Sequence, residues 1–184
     1  MSNQYTRYAT IATVDTPGEG GFYGGTAWAP AAGGSTQTIV VANDVAVYQF
    51  VLPFRSIVRN ITFNVNTLEA GKFAGVGLYD KDRNRLVHSG AVSVAATGPK
   101  STAVAAVILE PGVYFHAWTA DGTTGALFAV AGVSDGTGGA MSARVVPAKI
   151  GIAANPGVAG VLPATLGVIT TNLNLKLPVT YFEP

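Results

Sequence analysis

The densest patch of reactive side chains runs from Tyr79 to Gly90, "YDKDRNRLVHSG", with five charged residues and His88, one of two histidines in a chain of 184 residues. Asp80, Asp82 and Asn84 fit the D-x-D-x-N opening of a calcium loop, where oxygens at alternate positions converge on the ion. The rest of the stretch does not fit. The sixth position of such a loop is glycine and is Arg85 here; the twelfth is glutamate and is Ala91 here. Arg83 and Arg85 also put positive charge where a cation would sit. Asp80 and Asp82 fail as a glycosidase pair, because such carboxylates face each other across a cleft roughly 5–9 Å wide. The apolar ends and polar tip of "LYDKDRNRLV" point instead to an exposed hairpin turn. No metal or cofactor site is expected.

The other chemistry-bearing patterns are partial. "GVSDG", Gly132 to Gly136, fits the G-x-S-x-G nucleophile elbow, but both His88 and His116 precede Ser134, and "TGGAMSARV" is a poor helix start. A glycine-flanked turn is expected there, and a hydrolase using Ser134 with His116 or His88 is the weakest reading. "ATGPKST" lacks the first glycine of a phosphate loop, and Pro99 separates Gly98 from Lys100. Asn60-Ile61-Thr62 is formally a glycosylation sequon inside an expected strand.

Two aromatic groups remain as candidate sites. Tyr114, His116 and Trp118 share one face of a strand, as a platform on which a sugar ring would stack or as a face that packs in the core or against a subunit. Packing is the expected outcome, because aromatic residues on strands usually pack. Tyr79 beside Asp80 is a second place where a glycan would bind. Phe22, Tyr23 and Trp28 lie in a Gly-rich segment as candidate anchors into a partner; a large aromatic there, Trp28 above all, equally fits folding back on its own domain.

These residues must be positioned by strands, for no stretch shows helical periodicity. In "RNITFNVN", Ile61, Phe63 and Val65 alternate with Asn60, Thr62, Asn64 and Asn66, the pattern of a half-buried strand. "KFAGVGLY" and "GVYFHAWT" alternate in the same way. Further strands are expected at Thr38–Ala42, Ala46–Leu52, Arg85–His88, Ala103–Leu109 and Ala126–Val130. "AND", "LEAG", "DKDRN", "ATGPKS", "EPG", "ADGTTG" and "SDGTGG" supply the turns. Short strands at this spacing predict an all-β chain, an antiparallel β-sandwich or barrel. Residues 1–35 read as an irregular Gly/Ala-rich N-terminal arm, with seven glycines and two prolines in "TPGEGGFYGGTAWAPAAGG". Residues 36–184 form the sandwich domain. The uncharged run Ile150–Leu175 is broken repeatedly by Gly and Pro and reads as loops and short strands. The tail "NLNLKLPVTYFEP" alternates again and is expected to add an edge strand, limited by Pro178 and Pro184.

Composition narrows the partners. The chain has no cysteine, which excludes disulfides and thiol chemistry. Net charge is +1 and no basic run exists, so nucleic acid has no place to dock. No apolar run is long enough for a membrane helix, and "MSNQYTRYATIATV" is not a signal peptide. Charged residues make up 11%, against about 25% in an ordinary domain, while 48% are apolar. A surface so thinly charged is expected to be buried in part against sister subunits.

"VAVYQFVLPFRSIVRNITFNV", "FAGVGLYDKDRNRLVHSGAV", "LEPGVYFHAWTA" and the ending "LPATLGVITTNLNLKLPVTYFEP" together resemble small virion proteins of tailed bacteriophages. The resemblance spans residues 38–132 and 161–184. It implies a jelly-roll-like β-sandwich of a tail, fibre or capsid surface, with no catalytic residues. The expected function is therefore that of a structural virion protein assembling as a homo-oligomer, in particular a trimer. The arm from Gly18 to Gly34 would contact other virion proteins or lace neighbouring subunits. The alternative is a carbohydrate- or receptor-binding module reading a host surface glycan.

Overall fold

Alternating side chains sort this chain into two antiparallel sheets packed face to face. The computed structural model describes residues 21–23, 35–130, 148–172 and 175–184. Among them every regular element is a strand: β1 (Phe22–Tyr23), β2 (Ser35–Thr38), β3 (Val45–Leu52), β4 (Ser56–Thr67), β5 (Phe73–Tyr79), β6 (Arg85–His88) and β7 (Val92–Ser93), then β8 (Gly98–Leu109), β9 (Gly112–Ala120), β10 (Ala126–Val130), β11 (Ile150–Ala153), β12 (Ile169–Thr171), β13 (Leu177–Pro178) and β14 (Thr180–Glu183).

The first sheet is built on β4, which pairs with β8 on one side and with β14 and β10 on the other. Beyond these, β1 pairs with β14, while β2 and β13 pair with β10. The second sheet runs β12-β11-β3-β9-β5, with β6 and β7 on the far edge of β5. The pairings are nested. β5 meets β6, β4 meets β8, β3 meets β9 and β2 meets β10, and successive pairs fall in opposite sheets. That is the order of one long antiparallel ribbon rolled around a core.

The period of two decides what is inside. Ala46 and Tyr48 of β3, His116 and Trp118 of β9, and Val76 and Leu78 of β5 face the first sheet. They meet Ile61, Phe63 and Val65 of β4 and Phe182 of β14 in one buried cluster. Val58 joins the same cluster although its parity is opposite to that of Ile61. A register shift between Val58 and Asn60, matched by extra residues in β8, changes the phase.

The second sheet is buried over part of its outer face too. Val45, Val47, Tyr79, Phe115 and Ala117 point away from the first sheet into a second cluster, capped by Leu162, Leu166 and Ile169. The segment between β11 and β12, residues 154–168, is therefore a cover laid over this sheet. Its close approach needs glycine: a Cβ on Gly75 would overlap the Gly160 carbonyl oxygen, and one on Gly160 would lie 2.7 Å from the Phe73 Cβ. Gly160 also adopts φ +80°, a conformation that costs glycine least.

Several boundaries differ from expectation. Phe22–Tyr23, inside the expected arm, form a strand of the first sheet, and β2 starts at Ser35. The strand expected at Thr38–Ala42 lies earlier, because the chain turns through Asn43 at φ 69° before β3. "GPK", expected as a turn, opens β8; this strand pairs only with β4 among the described strands, and an edge position tolerates Pro99. In the tail, β14 lies between β1 and β4 rather than at an edge.

Candidate functional site

The charged stretch that opens the sequence is a turn, and its carboxylate is occupied locally. Asp80 Oδ1 accepts hydrogen bonds from the backbone N–H groups of Asp82 (2.9 Å) and Asn84 (2.8 Å). Asn84 Nδ2 donates to the other oxygen at 3.3 Å. Asp82 pairs with Lys81 at 2.7 Å on the exposed tip. The oxygens of Asp80 are thus spent on folding the loop, as in other Asx turns. The two arginines reach the cover instead. Arg83 Nη1 donates to the Gly167 carbonyl at 2.8 Å, and Arg85 Nη1 donates to that of Leu162. Tyr79 contributes a third tie through its hydroxyl, which donates to the Pro163 carbonyl at 2.6 Å. Tyr79 is fully buried, and this burial, ahead of the opposing Arg85 charge, pushes its phenol well above the ordinary range. Tyr79 is therefore no exposed glycan contact beside Asp80.

The platform of Tyr114, His116 and Trp118 is likewise turned inward. His116 and Trp118 have no exposed surface, and Tyr114 is half-buried. No sugar reaches His116 or Trp118 in the folded chain, and the face packs as expected rather than serving as an open platform. His116 Nε2 lies 3.1 Å from Thr180 Oγ1, while its Nδ1 has no partner. Burial holds the imidazole neutral, with its pKa lowered to about 3. Tyr48, stacked on His116 at 6.1 Å, donates its hydroxyl to the Lys176 carbonyl. Burial raises this phenol strongly, and the neighbouring Trp118 indole offsets it only in part. Trp118 Nε1 forms no hydrogen bond of good geometry. Both ring ties from β3 and β9 thus end on the C-terminal segment.

Phe22 arrives at the same place from the other end of the chain. It is buried, stacked on Phe182 at 5.2 Å, tilted against Phe50 at 6.0 Å and edge-on to Phe54 at 6.4 Å. Phe50 in turn meets Tyr114 at 6.1 Å, and Phe182 meets His116 at 5.9 Å. Two groups of candidate residues, the arm anchor and the aromatic face, are thereby joined in one socket of rings. Phe22 is seated in its own sandwich here. Tyr23 follows it in β1, opposite Tyr181. Trp28 and Ser134 lie outside the described residues.

Sequence reasoning missed Phe50, Phe54 and Phe182, which complete the socket. Their signal was available: Tyr48 and Phe50 share a parity in "VAVYQFVL", as do Thr180 and Phe182 in the tail. Elsewhere, an open groove of about 370 Å³ separates the edge strands β6 and β8, lined by His88, Leu86, Val104 and Val107. His88 Nδ1 accepts the Gly90 N–H at 3.1 Å, and burial, then the Arg85 charge, lowers its pKa. Among the described residues no group of three His, Asp or Glu side chains is placed to hold a metal ion. Compared with family models, curated proteins and solved structures, the chain matches none.

Proposed function

We propose that this chain is a non-enzymatic structural subunit of a tailed-bacteriophage virion, a jelly-roll sandwich that acts by joining sister copies in a homo-oligomer of three. The nested pairing of β2 with β10, β3 with β9, β4 with β8 and β5 with β6 supports the jelly-roll assignment, since rolling up one antiparallel ribbon produces that architecture. The observation that carries the assembly reading is the distribution of exposed apolar side chains. The chain covers the outer face of its second sheet over Val45, Val47, Phe115 and Ala117, yet leaves large apolar side chains open beyond that cover and on neighbouring loops.

At one end Val40, Val41, Leu68, Phe73 and Val158 are exposed. Backbone hydrogen bonds gather the loops that carry them: Asn43 to Gly157 and to Ala120, and Asp121 to Phe73. On the uncovered part of the second sheet's outer face Val51 and Val113 form an exposed cross-strand pair, and Ile108 of β8 is exposed as well. Concentrated apolar surface of this kind marks contact sites, whereas single exposed residues do not. The glycan-binding alternative loses support because its aromatic trio is turned into the core. Quantitative mass spectrometry of purified phage particles tests the proposal. The expected result is this chain at a fixed multiple of three copies per particle. Its absence from particles that are fully infectious would overturn the virion assignment.

A further inference from the structure

We infer that the aromatic socket is a strand-exchange site, in which Gly21–Tyr23 of one copy seats on β14 of a neighbouring copy. This rests on the assembly reading above and names the tie that would hold it.

The first support is the construction of the socket. Among the described residues β1 contributes two residues of pairing, Phe22 opposite Phe182 and Tyr23 opposite Tyr181. The Phe22 ring is buried among Phe50, Phe54 and Phe182. The preceding position admits only glycine, because a Cβ on Gly21 would overlap the Tyr181 hydroxyl and come within 2.8 Å of the Phe182 carbonyl oxygen. A small residue, a buried aromatic and backbone pairing along an open strand edge are the parts of β-strand addition, in which main-chain bonds hold the strand and a pocket selects its side chain.

The second support is the length of the connection. Ser35 lies opposite Ala129, which lies opposite Pro178, while Tyr23 lies opposite Tyr181. Tyr23 and Ser35 are thus three residues apart along the strands and no more than three strand spacings apart across them, under about 20 Å. The intervening residues 24–34, "GGTAWAPAAGG", can reach about 40 Å when extended. A connection twice as long as its own closure requires leaves slack to reach an adjoining socket that lies within about 40 Å of Ser35.

Exchange costs little in contacts. The same Phe22 fills the same socket whichever copy supplies it, so the two arrangements differ mainly in the connection. A tethered strand has an effective concentration in the millimolar range. Sister sockets packed side by side in an assembly are present at similar local concentration, so exchange competes there and not in a dilute single chain.

The absence of cysteine makes the test clean. One batch carries Tyr23→Cys and another Tyr181→Cys. They are mixed unfolded, refolded together at a concentration where light scattering shows the oligomer, and oxidised. Paired residues on adjacent antiparallel strands are close enough for a disulfide. The expected result is a covalent dimer on a non-reducing gel, with the disulfide between the two substituted positions confirmed by peptide mass. Adding Phe22→Ala to the Tyr23→Cys chain should reduce its yield at least fivefold. An oligomer that gives no mixed dimer, while a chain carrying both Tyr23→Cys and Tyr181→Cys closes its disulfide within one chain, overturns exchange and leaves assembly standing. A chain that is monomeric throughout the micromolar range overturns both. If either cysteine variant loses its sheet circular-dichroism signature, unsubstituted chain decides: in a mixed isotope-labelled sample, a Phe22–Phe182 ring contact between chains supports exchange, and a contact within one chain only contradicts it.

Discussion

His116 carries the clearest residue-scale consequence of this packing. Its imidazole is enclosed by Tyr48 and Phe182 and accepts or donates one hydrogen bond, to Thr180. In the unfolded chain it takes up a proton near pH 6.5, but in the folded chain only near pH 3. The unfolded state therefore binds more protons between these values, and stability falls as the pH drops through that window. The slope is about 1.4 kcal/mol per pH unit for one such group. His88 acts in the same direction, since its pKa is also lowered. His116→Gln keeps a side-chain hydrogen-bonding group near Thr180 but removes the titration. Urea unfolding midpoints measured from pH 7 to pH 4 should fall less steeply in this variant than in the parent; parallel curves would contradict the burial of a neutral imidazole. The residue was legible as part of an alternating aromatic strand. The direction it faces was not, because parity tells which side chains share a face and does not tell which face is inside.

At the scale of elements, the cover formed by residues 154–168 is the feature least legible in the sequence. Its Gly, Pro and lack of charge marked it as irregular, and the strands that flank it are correspondingly short. What it lies on was encoded elsewhere. β3, "VAVYQFVL", and β9, "GVYFHAWTA", are apolar on both parities, the mark of a sheet buried on two faces. Gly75 and Gly77 occupy one parity of β5, leaving room for backbone to approach. The strands with strict alternation, β4 and β5, were placed well for the reason that each face meets a different environment. β8 was read too short because glycine and proline open it, and an edge strand needs fewer ladder bonds than a central one. The arginines of the hairpin turn fasten the cover through the carbonyls of Gly167 and Leu162. Hydrogen bonds from a charged donor contribute about 1.5–3 kcal/mol each. The double variant Arg83→Ala/Arg85→Ala should therefore raise amide hydrogen exchange at Val161 and Leu166 at least tenfold, with little change at Tyr48 or Ala117. Uniform loosening of all four amides would show that the cover does not open as a separate unit.

For the whole molecule, the exposed apolar side chains on its loops matter most. Val40 is 81% exposed and Val158 is 71% exposed, on neighbouring loops whose backbones are joined through Asn43. Replacing both by Asn removes apolar surface that contributes nothing to the core. The pair should leave the thermal midpoint of the isolated subunit within a few degrees of the parent. It should weaken self-association by at least tenfold, as read by sedimentation velocity; unchanged association would place the contact elsewhere. The most direct test of a subunit built for assembly is the mass of the unsubstituted chain in solution. Light scattering on the purified protein at micromolar concentration should give three times the 18.8 kDa chain mass. A single species of 18.8 kDa that persists as concentration rises would contradict the account.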